Sequence, residues 1–294
     1  MKYISVFDAA KKWNISERSV RNYCSKGRIS GARLVGKTWE IPDNVDKPER
    51  AIRSDKKRTL LDILKEEKSS RLSGGIYHKV QIDLTYNSNH IEGSRLTHDE
   101  TRYIFETNTV GIEQGAMRVD DIIETSNHFR CIDYVIDNAN SKLSESFIKE
   151  LHFLLKVSTS DSRRDWFRVG EYKKLPNEVG GIDTTSPKDV SREMKALIEK
   201  YNEKKTVTFE DIIDFHVSFE RIHPFQDGNG RVGRLIIFKE CLKHNIVPFI
   251  IDETHKLFYY RGLKEWNSER GYLLDTCLSA QDKVKEILRK FEIL

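Results

Sequence analysis

His223-Pro-Phe-Gln-Asp-Gly-Asn-Gly-Arg-Val-Gly-Arg234 joins two apolar helices through a glycine-bearing turn. The first helix is expected over 208–222, where Ile212, Ile213, Phe215, Val217 and Phe219 form its apolar face. Pro224 stops it, because proline lacks an N–H and disfavours helical backbone in the residue before it. Gly228 and Gly230 then open backbone conformations that a side chain would block. Val232, Leu235, Ile236 and Phe238 start the second helix, expected over 230–244. The first N–H groups of a helix have no partner inside it, so such a turn aims several donors at one spot, a ready anion site. Arg231 and Arg234, three apart, share a face and can reach toward the same anion. Asp227 would repel a phosphate there unless a divalent cation lay between them, and Mg²⁺ is commonly held by one carboxylate plus substrate phosphates. His223 stands at the rim with an ordinary pKa of about 6.5, suited to taking a proton from an incoming hydroxyl.

Two competing readings fail on spacing. No G-x-x-x-x-G-K-[ST] occurs, so the turn is not a P-loop. His216 and His223 are seven apart with no third ligand close, which does not fit zinc.

Outward from this segment, the pattern from Thr59 onward is mostly helical. Helices are expected near 59–72, 75–91, 97–108, 114–138, 143–157, 188–203, 208–222, 230–244, 254–268 and 270–293. Residues 165–185 break the pattern. There Val169-Gly-Glu-Tyr172 and Glu178-Val-Gly-Gly-Ile-Asp183 flank Leu175-Pro176-Asn177, which predicts a short exposed hairpin. Residues 46–58 are polar, contain Pro48 and lack periodicity, a linker composition.

The first 42 residues read as a small winged helix-turn-helix. Ser5 is expected to cap a helix bearing Val6, Ala9, Ala10 and Trp13 on one face. Asn14-Ile15 turns the chain, Ser16 caps a second helix with Val20, Tyr23 and Cys24 inward, and Gly27 ends it. Two alternating segments around Arg33 and Trp39 flank Val35-Gly36-Lys37, a wing. This segment carries nine Lys/Arg against three Asp/Glu, a net of +6, whereas the rest of the chain is near −2. A basic module of this layout suits DNA. It resembles the excisionase/MerR-type helix-turn-helix through Asp8-Ala9-Ala10, Ile15-Ser-Glu-Arg-Ser-Val-Arg21, Gly27-Arg28-Ile29 and the wing. Arg18, Arg21 and Asn22 are the groove-facing candidates, and Lys37 would meet phosphate.

No run approaches the roughly eighteen apolar residues of a membrane span. The N-terminus lacks an apolar signal core, and Cys24, Cys131, Cys241 and Cys277 show no paired spacing, so a cytoplasmic protein with free thiols is expected.

The segment His223–Arg234 is similar, at every position, to the signature of Fic proteins, which attach AMP to protein hydroxyls. The resemblance extends over roughly 59–294 and implies a mainly α Fic-type domain with a short β-hairpin flap, preceded by the winged unit at 1–45. It implies His223 as the base and Asp227 as the holder of Mg²⁺ bridging the α- and β-phosphates of ATP. Gly228, Asn229 and Gly230 would form the backbone cradle, Arg231 would bind the α/β region, and Arg234 the γ-phosphate. Residues 168–183 correspond to the flap that docks a target protein by strand-like backbone contacts. Ser88-Asn-His-Ile-Glu92-Gly93, on a helix near 76–92, matches the family's inhibitory [S/T]-x-x-x-E-[G/N] motif. Glu92 would pair with Arg234 and place a negative charge where the γ-phosphate should lie, and Ser88 would hold Glu92 by hydrogen bonding. Tyr260 stands where family members contact adenine. The implied activity is an autoinhibited AMP transfer to a target or to the chain itself. Two alternatives stay open: a DNA-binding regulator whose activity is set by AMPylation, and removal of AMP with Glu92 aligning a water. A homodimer is compatible with either.

Overall fold

A computed structural model describes residues 2–25, 27–36, 38–48, 58–111 and 116–294. The chain divides into two compact units, Met1–Lys57 and Arg58–Leu294.

In the first unit, β1 (Tyr3–Ser5) leads into α1 (Val6–Trp13) and α2 (Glu17–Ser25), followed by β2 (Arg33–Val35) and β3 (Thr38–Pro42). The strands form an antiparallel sheet in the order β1-β3-β2, with Ile4 opposite Ile41 and Leu34 opposite Trp39. Ser5 ends β1 and caps α1, its Oγ accepting from the Asp8 N–H at 3.1 Å. Asn14, in the left-handed region with φ 52°, makes the turn, and Ser16 Oγ caps α2 by accepting from the Ser19 N–H at 3.2 Å. Val6, Ala9, Ala10, Trp13, Val20, Cys24, Ile29 and Ile41 bury one small core. The three-residue β1 lies outside the sequence reading, because so short a strand has no measurable alternation.

The second unit is helical. Its elements are α3 (Leu60–Ser70), α4 (Ile76–Ile91), α5 (His98–Thr107), α6 (Val119–Asn138), α7 (Glu145–Lys156), β4 (Glu178–Val179), β5 (Ile182–Asp183), α8 (Val190–Asn202), α9 (Phe209–Ile222), α10 (Asn229–Lys243), α11 (Glu253–Glu265) and α12 (Gly271–Lys290). Capping boxes fix three starts: Thr59 with Asp62, Thr97 with Glu100, and Thr208 with Asp211. The largest boundary difference from expectation is α6. It starts at Val119 rather than near 114, because Arg118 is extended (φ −72°, ψ 125°).

The axis of this unit is α10, buried continuously from Arg231 to Leu242 and packed on α9, α6, α7, α4 and α3. A helix buried all round must neutralise its own charges. Lys239 therefore donates to Glu240 Oε1 at 2.6 Å and to the Ser141 carbonyl at 2.6 Å, while Glu240 accepts from the Tyr201 hydroxyl at 3.0 Å. Removing a core side chain such as Leu235 from this axis would cost about 2–5 kcal/mol, which keeps the entry to α10 rigidly placed.

The hairpin expected over 168–183 is present only in its second half. Residues 178–183 pair Glu178 with Asp183 and Val179 with Ile182 around Gly180 (φ 58°) and Gly181 (φ 76°). Residues 168–172 form a turn instead, with the Glu171 N–H donating to the Arg168 carbonyl and Gly170 (φ 80°) donating to His152 Nδ1 at 2.9 Å. A local turn and a buried histidine take the donors that a strand ladder would have used.

Among the described residues no helix is long and apolar enough to cross a membrane. The four cysteines are buried and unbridged.

Candidate functional site

The turn between α9 and α10 is held from inside. His223 closes α9 in the left-handed region (φ 49°, ψ 62°), its N–H donating to the Phe219 carbonyl at 2.9 Å, and Pro224 prevents another turn. The Asn229 side chain then staples Phe225 at both ends. Its Oδ1 accepts from the Phe225 N–H and its Nδ2 donates to the Phe225 carbonyl, each at 2.8 Å. The Phe225 ring is fully buried and stacks on His152 with centroids 4.0 Å apart and planes 6° off parallel. Gly228 (φ 79°) is the N-cap of α10, a conformation that disfavours any other residue, and it supplies no side-chain cap. The start of α10 thus has no side-chain cap, while the Asn229 side-chain amide is committed to the loop.

A carboxylate covers this helix start. A Cβ added to Gly230 would overlap Oε1 of Glu92, so the missing side chain is the space in which Glu92 rests. Glu92 Oε1 accepts from Arg234 Nη2 at 2.7 Å. The same guanidinium donates through Nε to Ser88 Oγ at 3.0 Å and through Nη2 to the Ser88 carbonyl at 2.9 Å. Arg234 is buried; burial alone would lower its pKa, but the Glu92 carboxylate raises it further above its ordinary value. The Glu92–Arg234 pair expected from sequence is present. The expected role of Ser88 is corrected: it grips Arg234 rather than Glu92, because the guanidinium lies against α4 and takes both oxygens of Ser88.

The other arginine faces different partners. Arg231, also buried, donates from Nη1 to Glu124 Oε2 and lies 3.6 Å through Nη2 from Asp227 Oδ2. Its Nε is buried and has no hydrogen-bond partner among the described residues. Lys156, 1% exposed at the end of α7, joins Asp227 Oδ2 at 2.6 Å, Glu124 Oε1 at 2.5 Å and Asp161 Oδ2 at 3.1 Å. Arg231 and Arg234 therefore hold separate carboxylates instead of converging on one. Burial would raise the Asp227 pKa, yet Arg231 and Lys156 together hold it well below the usual carboxylate range. Burial would equally lower Lys156, but Asp227 and Glu124 raise it.

His223 is mostly buried. Its Nδ1 lies 3.3 Å from the Glu220 carbonyl, so a proton on Nδ1 satisfies that oxygen and leaves Nε2 as the basic atom. Burial pushes the imidazole below its ordinary value. Glu220, whose Oε2 is 4.0 Å from His223 Nδ1, is pushed up to about 8 by burial, against the pull of Arg234. Gly233 allows α10 to approach here, since a Cβ there would collide with Glu220 and His216. Of the paired tyrosines, Tyr259 is core, with its hydroxyl 2.5 Å from His216 Nε2. Tyr260 is 42% exposed, and its hydroxyl is pushed up to about 12 by partial burial and by the charge of Glu92.

The segment from Lys173 to Thr184 is rooted on the motif loop. The Lys173 N–H donates to the Pro224 carbonyl at 2.8 Å, and its ammonium binds Asn177 Oδ1 (2.6 Å), Thr184 Oγ1 (2.5 Å) and the Ile222 carbonyl (3.3 Å). Burial pushes Lys173 down to about 8.

Sequence reading missed Glu124, Lys156, Glu220 and Lys173. One signal was available for Lys156, which follows Ile148 and His152 at four-residue steps on the buried stripe of α7. A lysine on a buried stripe requires partners. Glu124 offers no such cue.

In the N-terminal unit, Arg18, Arg21 and Asn22 are exposed on α2, and with Ser19, Ser25 and Trp39 they line one shallow depression. Arg21 is tied to Glu17 at 2.6 Å. Lys37 lies outside the described residues.

Comparison with known proteins agrees with this geometry. The chain is 26% identical over 234 residues to the protein adenylyltransferase Fic of Aedes aegypti, covering 79% of this chain and 45% of the relative. With the protein adenylyltransferase Fic of Drosophila persimilis it shares 27% over 238 residues, covering 78% and 44%. The chain thus spans less than half the length of these curated relatives. Among solved structures, a Fic domain-containing signaling protein from Bacteroides thetaiotaomicron superposes with a TM-score of 0.61 at 26% identity, covering 78% of this chain and 94% of that one. Fic-1 from Caenorhabditis elegans shares the fold with a TM-score of 0.62 at 18% identity, over 79% and 72% of the two chains. Residues 142–240, from just before α7 through the motif turn and most of α10, match the model of the Fic/DOC family.

Proposed function

We propose that this chain is an autoinhibited protein adenylyltransferase, moving AMP from ATP to a hydroxyl of a target protein or of itself. One observation carries the reading: the side-chain-free start of α10 is covered by the carboxylate of Glu92, bonded to Arg234. A carboxylate resting there marks the place as suited to an anion, and a triphosphate presents the same chemistry with more charge. The names of the relatives supply the activity.

In this reading the phosphates lie over Gly228, Asn229 and Gly230, with Arg231 and, once Glu92 withdraws, Arg234 as counter-charges. Asp227 fits a resident Mg²⁺. It is half-exposed and kept ionised, and among the described residues no three His, Cys, Asp or Glu side chains cluster as a complete metal cage. A single carboxylate plus phosphates is how Mg²⁺ is ordinarily held, and the ion would supply charge neutralisation of the phosphates. His223 Nε2 takes the proton of the target hydroxyl. That oxygen bonds to the α-phosphorus, the bond from the α-phosphorus to the bridging oxygen breaks, and pyrophosphate leaves. Tyr260 borders the adenine side. The target segment docks on the 168–183 flap, where the exposed hairpin of β4 and β5 offers backbone groups.

A second activity fits beside the first. The first unit, with its net charge of +6 over 42 residues and exposed Arg18, Arg21 and Asn22, suits DNA, so we also read it as a winged helix-turn-helix that docks on a duplex. Four buried, unbridged thiols are in keeping with a cytoplasmic setting.

Intact mass tests the enzyme reading. Wild type, Glu92→Gly and Glu92→Gly/His223→Ala are incubated with ATP and Mg²⁺, with and without a panel of host proteins. The expected result is a gain of one AMP unit per modified site in Glu92→Gly, little in wild type, and none in the double variant. No ATP consumption by Glu92→Gly would contradict the proposal.

A further inference from the structure

Two charged residues outside the motif, one on α6 and one on α7, close a ring of ions around half of the motif's own charges. Glu124 bonds Lys156 with one oxygen and Arg231 with the other. Asp227 Oδ2 completes the ring, 2.6 Å from Lys156 and 3.6 Å from Arg231. Asp161 adds a third carboxylate to Lys156 at 3.1 Å. Lys156 and Arg231 are 1% and 5% exposed, and Glu124 14%, so solvent screens these pairs little. Asp161 is shared with Arg164, 3.4 Å away, so three cations meet three carboxylates, and the Asp227 side chain is the half-exposed carboxylate among them. The buried Nε of Arg231 still lacks a partner among the described residues.

We propose that Glu124 and Lys156 are positioning residues of the nucleotide site, a role that rests on the adenylyltransferase reading above. Glu124 fixes the guanidinium of Arg231 so that donors left over from Glu124 face the phosphates. Lys156 occupies one oxygen of Asp227 and turns the other toward solvent, where a metal–phosphate complex arrives. Neither residue touches substrate; each acts through its motif partner. Without Glu124, Lys156 and Arg231 would both compete for Asp227, drawing its carboxylate inward and leaving less of it for a cation. Outer partners of this kind typically change ligand or metal affinity by about 10–100-fold when removed.

Calorimetric binding of a non-hydrolysable ATP analogue, titrated with and without Mg²⁺, tests this in the Glu92→Gly background, alongside AMP incorporation. Glu92→Gly alone must bind and transfer; if it does not, the adenylyltransferase reading fails and the ring is not at issue. Adding Glu124→Gln is expected to weaken the Mg²⁺-loaded analogue by about tenfold or more and to raise the Mg²⁺ concentration needed for half-maximal binding. Glu124→Asp, which keeps the charge on a shorter arm, should fall between the two and stands in if the glutamine variant does not fold. A further readout is independent of nucleotide. Lys156→Met leaves Glu124, Asp161 and Asp227 without their shared cation, so Mg²⁺ or Mn²⁺ alone should raise its melting temperature while leaving that of wild type unchanged. Unaltered analogue affinity and Mg²⁺ dependence in both Glu124 variants, with no ion-dependent melting shift in Lys156→Met, would overturn the proposal.

Discussion

Arg231 and Arg234 stand almost one turn apart on α10, and each is gripped by a glutamate from another helix. The two grips differ in kind. Glu124 sits within α6, is nearly buried and binds two cations at once. Glu92 is the last-turn cap of α4, is one-third exposed and makes a single ion pair, and Gly93 (φ 91°) turns the chain away immediately afterwards. A carboxylate at a helix end can withdraw with small local rearrangement, whereas one within a packed helix cannot. The same Arg–Glu chemistry therefore serves as a cover on one side and as scaffolding on the other. Only the cover lies over the helix start, against Gly230.

Loss of each glutamate should expose this difference. Glu124→Gln is expected to lower stability by about 3 kcal/mol, the lower range for breaking a buried ion pair, seen as an earlier midpoint in urea. Glu92→Gly should change stability by no more than about 1 kcal/mol, as for a partly exposed pair. Equal losses would erase the distinction between cover and scaffold.

Ser88 sharpens it next. Because Ser88 holds Arg234 and not Glu92, Ser88→Ala loses the bond to Nε while the carbonyl and Glu92 bonds remain. Basal AMP incorporation should rise by up to about tenfold, the worth of one ordinary hydrogen bond of about 0.5–1.5 kcal/mol, and stay below that of Glu92→Gly. An increase matching Glu92→Gly would mean that Ser88, not the carboxylate, is the lock.

The smallest effect is a slope. Glu220 has its pKa raised by burial to about 8. Its neutral form is favoured on folding, so its contribution is full below the unfolded carboxyl pKa of about 4.3 and is lost as pH rises through about 8. Glu220→Gln should therefore flatten the decline in stability between those limits, measured by denaturation across pH. An unchanged slope would place the titration elsewhere.

Much of this was legible in the sequence where the determinants are local. The helices downstream of Thr59 show apolar periodicity, and all ten are present. Pro224 and Gly228 announced the turn, and the pairing of Glu92 with Arg234 is what the resemblance of Ser88-x-x-x-Glu92-Gly93 to the Fic inhibitory motif implied. The misses are long-range. Glu124 is 107 positions from Arg231, and Lys156 is 71 from Asp227, so no periodicity links them. The partner of Ser88 differs for a related reason: the motif resemblance implies a bond to Glu92, but a guanidinium from α10 takes both oxygens. Residues 168–172 look extended in sequence, yet His152 captures the Gly170 N–H.

The central claim is that Glu92 occupies the place of an anion at the start of α10. Calorimetric titration of a non-hydrolysable ATP analogue with Mg²⁺ into wild type and Glu92→Gly tests it most directly. The account predicts binding at least about tenfold tighter in Glu92→Gly, within the range of 1–3 kcal/mol for coupling between a regulatory contact and a ligand. Equal affinities in the two proteins, or binding that survives Gly230→Ala in the Glu92→Gly background, would contradict it.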